Sequence, residues 1–99
     1  MENEGLISLR AQIDTLDEEL VLLLARRFRV TDAVGKLKAT EGLSAIDPDR
    51  EAAQELRLAQ LARDHDVGPR VVNRVFRVIV KEVVSRHLSI SDRARQPES

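Results

Sequence analysis

The sequence predicts an all-α protein: a three-helix protomer with one very long N-terminal helix, assembled as an intertwined homodimer. Three observations carry that expectation. Apolar residues advance in steps of three and four from Leu6 to Leu37. Pro48 and Pro69 stand where a second and a third helix would begin. The first helix is also too long for a chain of 99 residues to cover by itself.

The seam of helix one reads Leu6, Leu9, Ile13, Leu16, Leu20, Leu23, Arg27, Val30, Val34, Leu37, a heptad-like spacing with no proline inside it. Gly42 and Ser44, followed by Pro48, mark its end. At 1.5 Å per residue, roughly 34 residues make a rod about 50 Å long. A compact chain of this size has a radius of gyration of about 13 Å, hence a diameter of roughly 30–35 Å. The overhanging part of the seam is still apolar, so a second copy of the chain is expected to cover it.

Helix two is expected from Pro48 to about Arg63, with Leu56, Ala59 and Ala62 on a short apolar face. Asp47 suits the N-cap, Pro48 the first helical position, and Asp49 the first turn, where the helix dipole favours a carboxylate; that reading does not account for Arg50 and Glu51 facing inward. The segment "HDVGP" at 65–69 reads as a turn that delivers Pro69 to the start of helix three. The valine-rich run "VVNRVFRVIVKEVVSRHL" suggests a strand by propensity alone. Its apolar pairs at 71/72, 75/76, 79/80 and 83/84 follow a helical period instead. The domain is expected to occupy residues 1–88, leaving 89–99, "SISDRARQPES", as a flexible tail.

Composition excludes several function classes. There is no cysteine, so neither disulfides nor a thiolate metal site are available. Sixteen basic residues balance seventeen acidic ones, which argues against nucleic acid as a partner. The longest apolar run, Leu20 to Ala25, is too short to span a bilayer, and "MENEGLISLR" has no secretory pattern. A cytoplasmic protein without membrane contact is expected. Thirteen of the sixteen cations are Arg, the side chain suited to planar recognition of carboxylates. A GC-rich genome would produce the same bias.

Residues that interrupt the apolar pattern are the candidates for chemistry. Arg27 sits in the seam between Leu23 and Val30, where an unpaired guanidinium would be costly without a carboxylate partner or a ligand. Lys38 follows eleven residues later on the same face, about 16 Å along the helix. The two could converge on a dicarboxylate. Equally, Arg27 could pair with a buried glutamate while Lys38 merely complements the helix dipole. Arg10 lies about 25 Å before Arg27, so it cannot share a small ligand with Arg27 of its own chain, but it could from a partner chain. Taken alone, Arg10 reads as a solvated surface residue. His87, one turn after Val83, reads alone as a satisfied interface histidine. His65 and His87 are far apart, Ser85 and His87 do not face each other, and Gly35-Lys36 lacks the rest of a phosphate loop.

Taken together, "LISLRAQIDTLDEELVLLLARR", "AVGKLK" and "DPDRE", in that order and spacing, resemble the all-helical class of chorismate mutase over residues 6 to 88. The resemblance implies an intertwined dimer with two sites, each built from both chains. It also implies an isomerase of aromatic amino acid biosynthesis in the shikimate pathway, converting chorismate to prephenate by a Claisen rearrangement without a cofactor or metal. Under it, Arg10 reaches in from the partner, and Arg27, Lys38 and Arg50 complete a cationic shell around the two substrate carboxylates. Lys38 also touches the breaking ether oxygen, and Glu51, with the backbone at Asp47, receives the ring hydroxyl. Two positions depart from the family pattern: Val83 where Ser often stands, and His87 where Gln or Glu usually donates to the ether oxygen. His87 is expected to replace that donor, since an imidazole N–H can donate whether the ring is neutral or charged.

The alternatives on the same fold are a 4-amino-4-deoxychorismate mutase and an isochorismate-pyruvate lyase, which bind near-identical substrates. Outside catalysis stands a helical regulatory dimer. A partner-activated subclass, dependent on the first enzyme of the shikimate pathway, would need that enzyme for turnover.

Overall fold

The computed structural model describes residues 3–95, which form three helices: α1 (Glu4–Glu41), α2 (Pro48–Asp64) and α3 (Pro69–Arg95). The all-α expectation holds. The chain divides into two compact units, one up to Thr31 and the other from Asp32 onward.

The first unit is the leading part of α1. Asn3 caps it, its side-chain oxygen accepting from the Leu6 N–H at 3.2 Å, and Glu4 places a carboxylate in the first turn. The helix therefore begins two residues earlier than the apolar seam. Thr15, inside the helix, returns its hydroxyl to the Ala11 carbonyl at 3.2 Å, which satisfies it without breaking the helix. The seam is laid open: Leu16, Leu20, Leu23 and Val30 are 56%, 59%, 56% and 63% exposed. Together they make an exposed apolar stripe along the helix. Leu24, Arg27 and Phe28 are half-buried.

The second unit holds the end of α1 together with α2 and α3. α1 stops in a Schellman turn: Gly42 adopts φ +68, Leu43 N–H donates to the Lys38 carbonyl at 2.8 Å, and Gly42 N–H to Ala39 at 3.4 Å. The helix so extends to Glu41, beyond the last seam residue Leu37. α2 starts as expected, with Asp47 at the N-cap accepting from the Arg50 N–H at 3.1 Å and Pro48 opening the first turn. Replacing Asp47 with alanine should lower unfolding stability by about 1 kcal/mol, through loss of that cap. Urea denaturation of the two proteins measures it, and an unchanged midpoint would contradict the capping role.

α2 ends in the same manner as α1, but with Asp66 in the left-handed position at φ 53 and Val67 N–H donating to Ala62 at 2.8 Å. Aspartate is one of the few residues that adopts this conformation locally. Pro69 then opens α3, as expected. α2 lies on α3 through Ala62 and Ile79, both buried, with Leu58, Leu61, Phe76 and Val80 half-buried around them. Asn73 reaches across to Glu55 at 3.0 Å.

α3 differs from expectation at its far end. It remains helical to Arg95 rather than stopping at Leu88. Ile90 accounts for part of the extension, because it is half-buried and its Cδ1 lies over Gly35 of α1. Of the tail expected at 89–99, residues 96–99 lie outside the described residues. No helix among the described residues is long and apolar enough to cross a membrane.

Candidate functional site

The second unit carries candidate residues on all three helices. On α1, Lys38 is half-buried in the last turn, and its own carbonyl is held by Leu43. Its backbone is thus fixed independently of its side chain, and the ammonium sits at the negative end of the helix dipole. On α3, His87 is 5% exposed, the most enclosed of the candidates, and Val83 one turn earlier is half-buried. The His87 ring lies against α1 at Gly35, one turn before Lys38: a Cβ built on Gly35 would stand 2.6 Å from Cδ2 and 3.1 Å from Nε2.

On α2, the N-cap places Asp47, Arg50 and Glu51 within one turn, with the Arg50 and Glu51 side chains exposed. Glu51 borders a groove of about 400 Å³ between α2 and α3, whose walls include Leu58, Phe76, Val80, Lys81 and Val84. Glu55 and Arg77 line it as well, so two carboxylates and two cations share the groove, and of the expected site residues it takes in Glu51 but not Lys38, Asp47, Arg50, Val83 or His87. Among the described residues, Lys38 and Arg50 make no ion pair. Their charge is not already committed.

Arg86 contrasts with them. It binds Glu82 of its own helix at 3.0 Å and Asp32 of α1 at 3.1 Å. The hydrogen bond to Glu82 and the nearby Asp32 carboxylate hold its guanidinium above the ordinary arginine pKa. With two carboxylates around it, this arginine ties α1 to α3 and offers little to an anion.

Arg10 and Arg27 belong to the first unit, Arg10 exposed and Arg27 half-buried. The expected site residues are therefore divided: Lys38, Asp47, Arg50, Glu51, Val83 and His87 in the second unit, the other two in the first. Sequence reasoning weighed Gly35 only as part of a phosphate loop and passed over Asp32 and Arg86. A glycine inside a long helix is disfavoured relative to alanine, and that was the signal that could have marked Gly35 as a packing position. The Asp32–Arg86 pair spans 54 residues and left no local signal.

Comparison with known proteins gives this arrangement its context. The model of the family described as chorismate mutase type II matches residues 9–88. The chain is 35% identical over 79 residues to the bifunctional chorismate mutase/prephenate dehydratase of Escherichia coli, covering 80% of this chain and 20% of that protein. It thus spans about a fifth of the length of such bifunctional relatives. It is 27% identical over 78 residues to the chorismate mutase of Methanocaldococcus jannaschii, covering 79% of each chain. Similarity also extends to the 4-amino-4-deoxychorismate mutase of Streptomyces venezuelae, at 28% over 82 residues, or 83% of this chain and 80% of that one.

Proposed function

This chain belongs to the type II chorismate mutase family, and from that premise we propose that it is an isomerase converting chorismate to prephenate. The observation that carries the proposal is the extent of the match: residues 9–88 take in every candidate residue from Arg10 to His87.

The chemistry asked of the protein is modest in kind. A Claisen rearrangement breaks a C–O bond and forms a C–C bond in one step, with no nucleophile and no proton transfer. Two demands remain. The substrate must be held in a folded conformer in which its carboxylates come closer, and fixed cations offset their repulsion and supply the orientation. Arg10, Arg27, Lys38 and Arg50 take that part. Negative charge then grows on the ether oxygen as the bond breaks, and donors already in place stabilise it more than they stabilise the ground state. Lys38 and His87 take this second part. Glu51, with the backbone at Asp47, receives the ring hydroxyl, while Val83 lines the wall. The working unit is a homodimer in which Arg10 crosses to the partner's site, and the exposed α1 seam supports that assembly.

The test is incubation of the purified chain with chorismate, run beside Arg27→Ala, following prephenate. Rapid prephenate formation by the chain and a large loss in the variant are expected. Equal product from both would overturn the proposal. A second reading, favoured by the similarity to the Streptomyces enzyme, is rearrangement of 4-amino-4-deoxychorismate. A carboxylate such as Glu51 accepts from an amine as readily as from a hydroxyl. Parallel incubations with the amino substrate and with isochorismate separate the readings by product, and adding the first shikimate enzyme tests for partner activation.

A further inference from the structure

We propose that Gly35 is a positioning residue for His87: the missing Cβ lets the imidazole lie against the α1 backbone one turn before Lys38, in the pose from which it donates to the substrate. The inference rests on the proposed role of His87 as a donor to the ether oxygen. Gly35 lies inside α1, where helix propensity alone favours alanine. The objection to alanine is steric. Its Cβ would stand 2.6 Å from His87 Cδ2, far inside the roughly 3.5–4.0 Å at which carbon atoms attract. His87 Nε2 and Ile90 Cδ1 would each be 3.1 Å away.

The two neighbours differ in how they can respond. Ile90 can turn its terminal methyl aside. The imidazole is a rigid ring on two torsions and is 5% exposed, so it yields only by displacing what encloses it. The Arg86–Asp32 pair, at 3.1 Å, holds the two helices together at the same level, since Asp32 is one turn before Gly35 and Arg86 adjoins His87. Helix separation is therefore a poor escape, and the ring is what moves.

The experiment is a double-mutant cycle of Gly35→Ala and His87→Ala in the full chain, with kcat and KM for chorismate measured for all four proteins. Gly35→Ala is expected to lower kcat by about 10- to 10²-fold, as misplacement of a reacting group by an ångström does, while KM stays within about threefold. In the His87→Ala background the same substitution should change kcat by less than about twofold. Gly35→Ala/His87→Gln should match His87→Gln alone, because a flexible amide can bend around the new methyl. A purely structural defect would instead lower the folded fraction and leave kcat per folded site intact.

Two results overturn the inference while leaving His87 as donor: wild-type kcat in Gly35→Ala, or the same fold-loss with and without His87. Full turnover by His87→Ala removes the donor reading and the inference with it. Should Gly35→Ala fail to fold, circular dichroism of Gly35→Ala/His87→Ala decides: recovery of helix identifies the imidazole as the obstacle, and continued unfolding overturns the inference.

Discussion

Lys38→Ala should lose about 10²–10³-fold in kcat, the effect of removing one preorganised donor from a developing oxyanion. At 1.36 kcal/mol per decade, that is about 3–4 kcal/mol of transition-state stabilisation. The site's construction makes the substitution a clean one. Lys38 contributes its carbonyl to the turn that ends α1, accepting from Leu43 at 2.8 Å, and alanine keeps that bond. Its ammonium makes no ion pair among the described residues, so no carboxylate is stranded when it goes. Folding stability should therefore change by no more than a helix-dipole contact, about 0.3–1 kcal/mol.

The way the loss divides is informative. A group that only stabilises charge on the ether oxygen lowers kcat and kcat/KM together. One that also holds a substrate carboxylate raises KM as well, and the proposed mechanism assigns Lys38 both contacts. Lys38→Arg should recover only part of the activity, since a planar fork replaces a compact charge on a flexible stem. Turnover by Lys38→Ala within about threefold of the parent, against the far larger loss expected for a preorganised donor, would remove Lys38 from the reaction.

How far the sequence foretold this molecule depends on the range of the interaction that decides each feature. The three helices were legible because their causes are local: the seam spacing, Asp47-Pro48 at one start, and Pro69 at another. The N-cap bond from Asp47 to the Arg50 N–H forms as expected because it needs only three residues of chain. The end of α3 was not legible. "SISDRARQ" contains one apolar residue of size, and only its contact with Gly35, 55 positions earlier, tells that Ile90 is held.

The site divides along the same line. Arg27 stood out as a charge in an apolar seam and Lys38 by sharing its face, both of which can be found without a structure, whereas Arg50 and Glu51 gained their roles only through the resemblance to a family. Val83 and His87 were noticed as departures from a family pattern. Burial of His87 against a glycine, and the Asp32–Arg86 tie beside it, are long-range matters of shape. A seam alone gives no view of either.

Mixing two inactive variants should restore activity, and this is the sharpest consequence of the proposal that each site is shared between chains. Arg10→Ala and Lys38→Ala should each be low alone, by about 10²-fold or more if each removes a charge acting on the substrate. Unfolded together in equal amounts and refolded, they should form heterodimers as half of all dimers. In each heterodimer one site collects both substitutions and the other collects neither. One site in four of the whole population is then intact, and activity should reach about a quarter of the parent's, a result that follows from two-fold symmetry alone. A site built within one chain would give only the mean of two low values.

The physical ground for the exchange is the α1 seam. Leu6, Leu9, Ile13, Leu16, Leu20, Leu23 and Val30 are 46–63% exposed, so each has about half of its burial still to gain, or about 1 kcal/mol apiece. Fourteen such side chains in a dimer supply enough to offset an association cost of about 4–15 kcal/mol. Sedimentation of the parent should therefore show two chains at micromolar concentration. Leu20→Glu, which puts a charge in the middle of the seam, should dissociate the dimer and abolish turnover together. A monomeric parent with full activity would end the shared-site reading, and so would a refolded mixture no more active than its components.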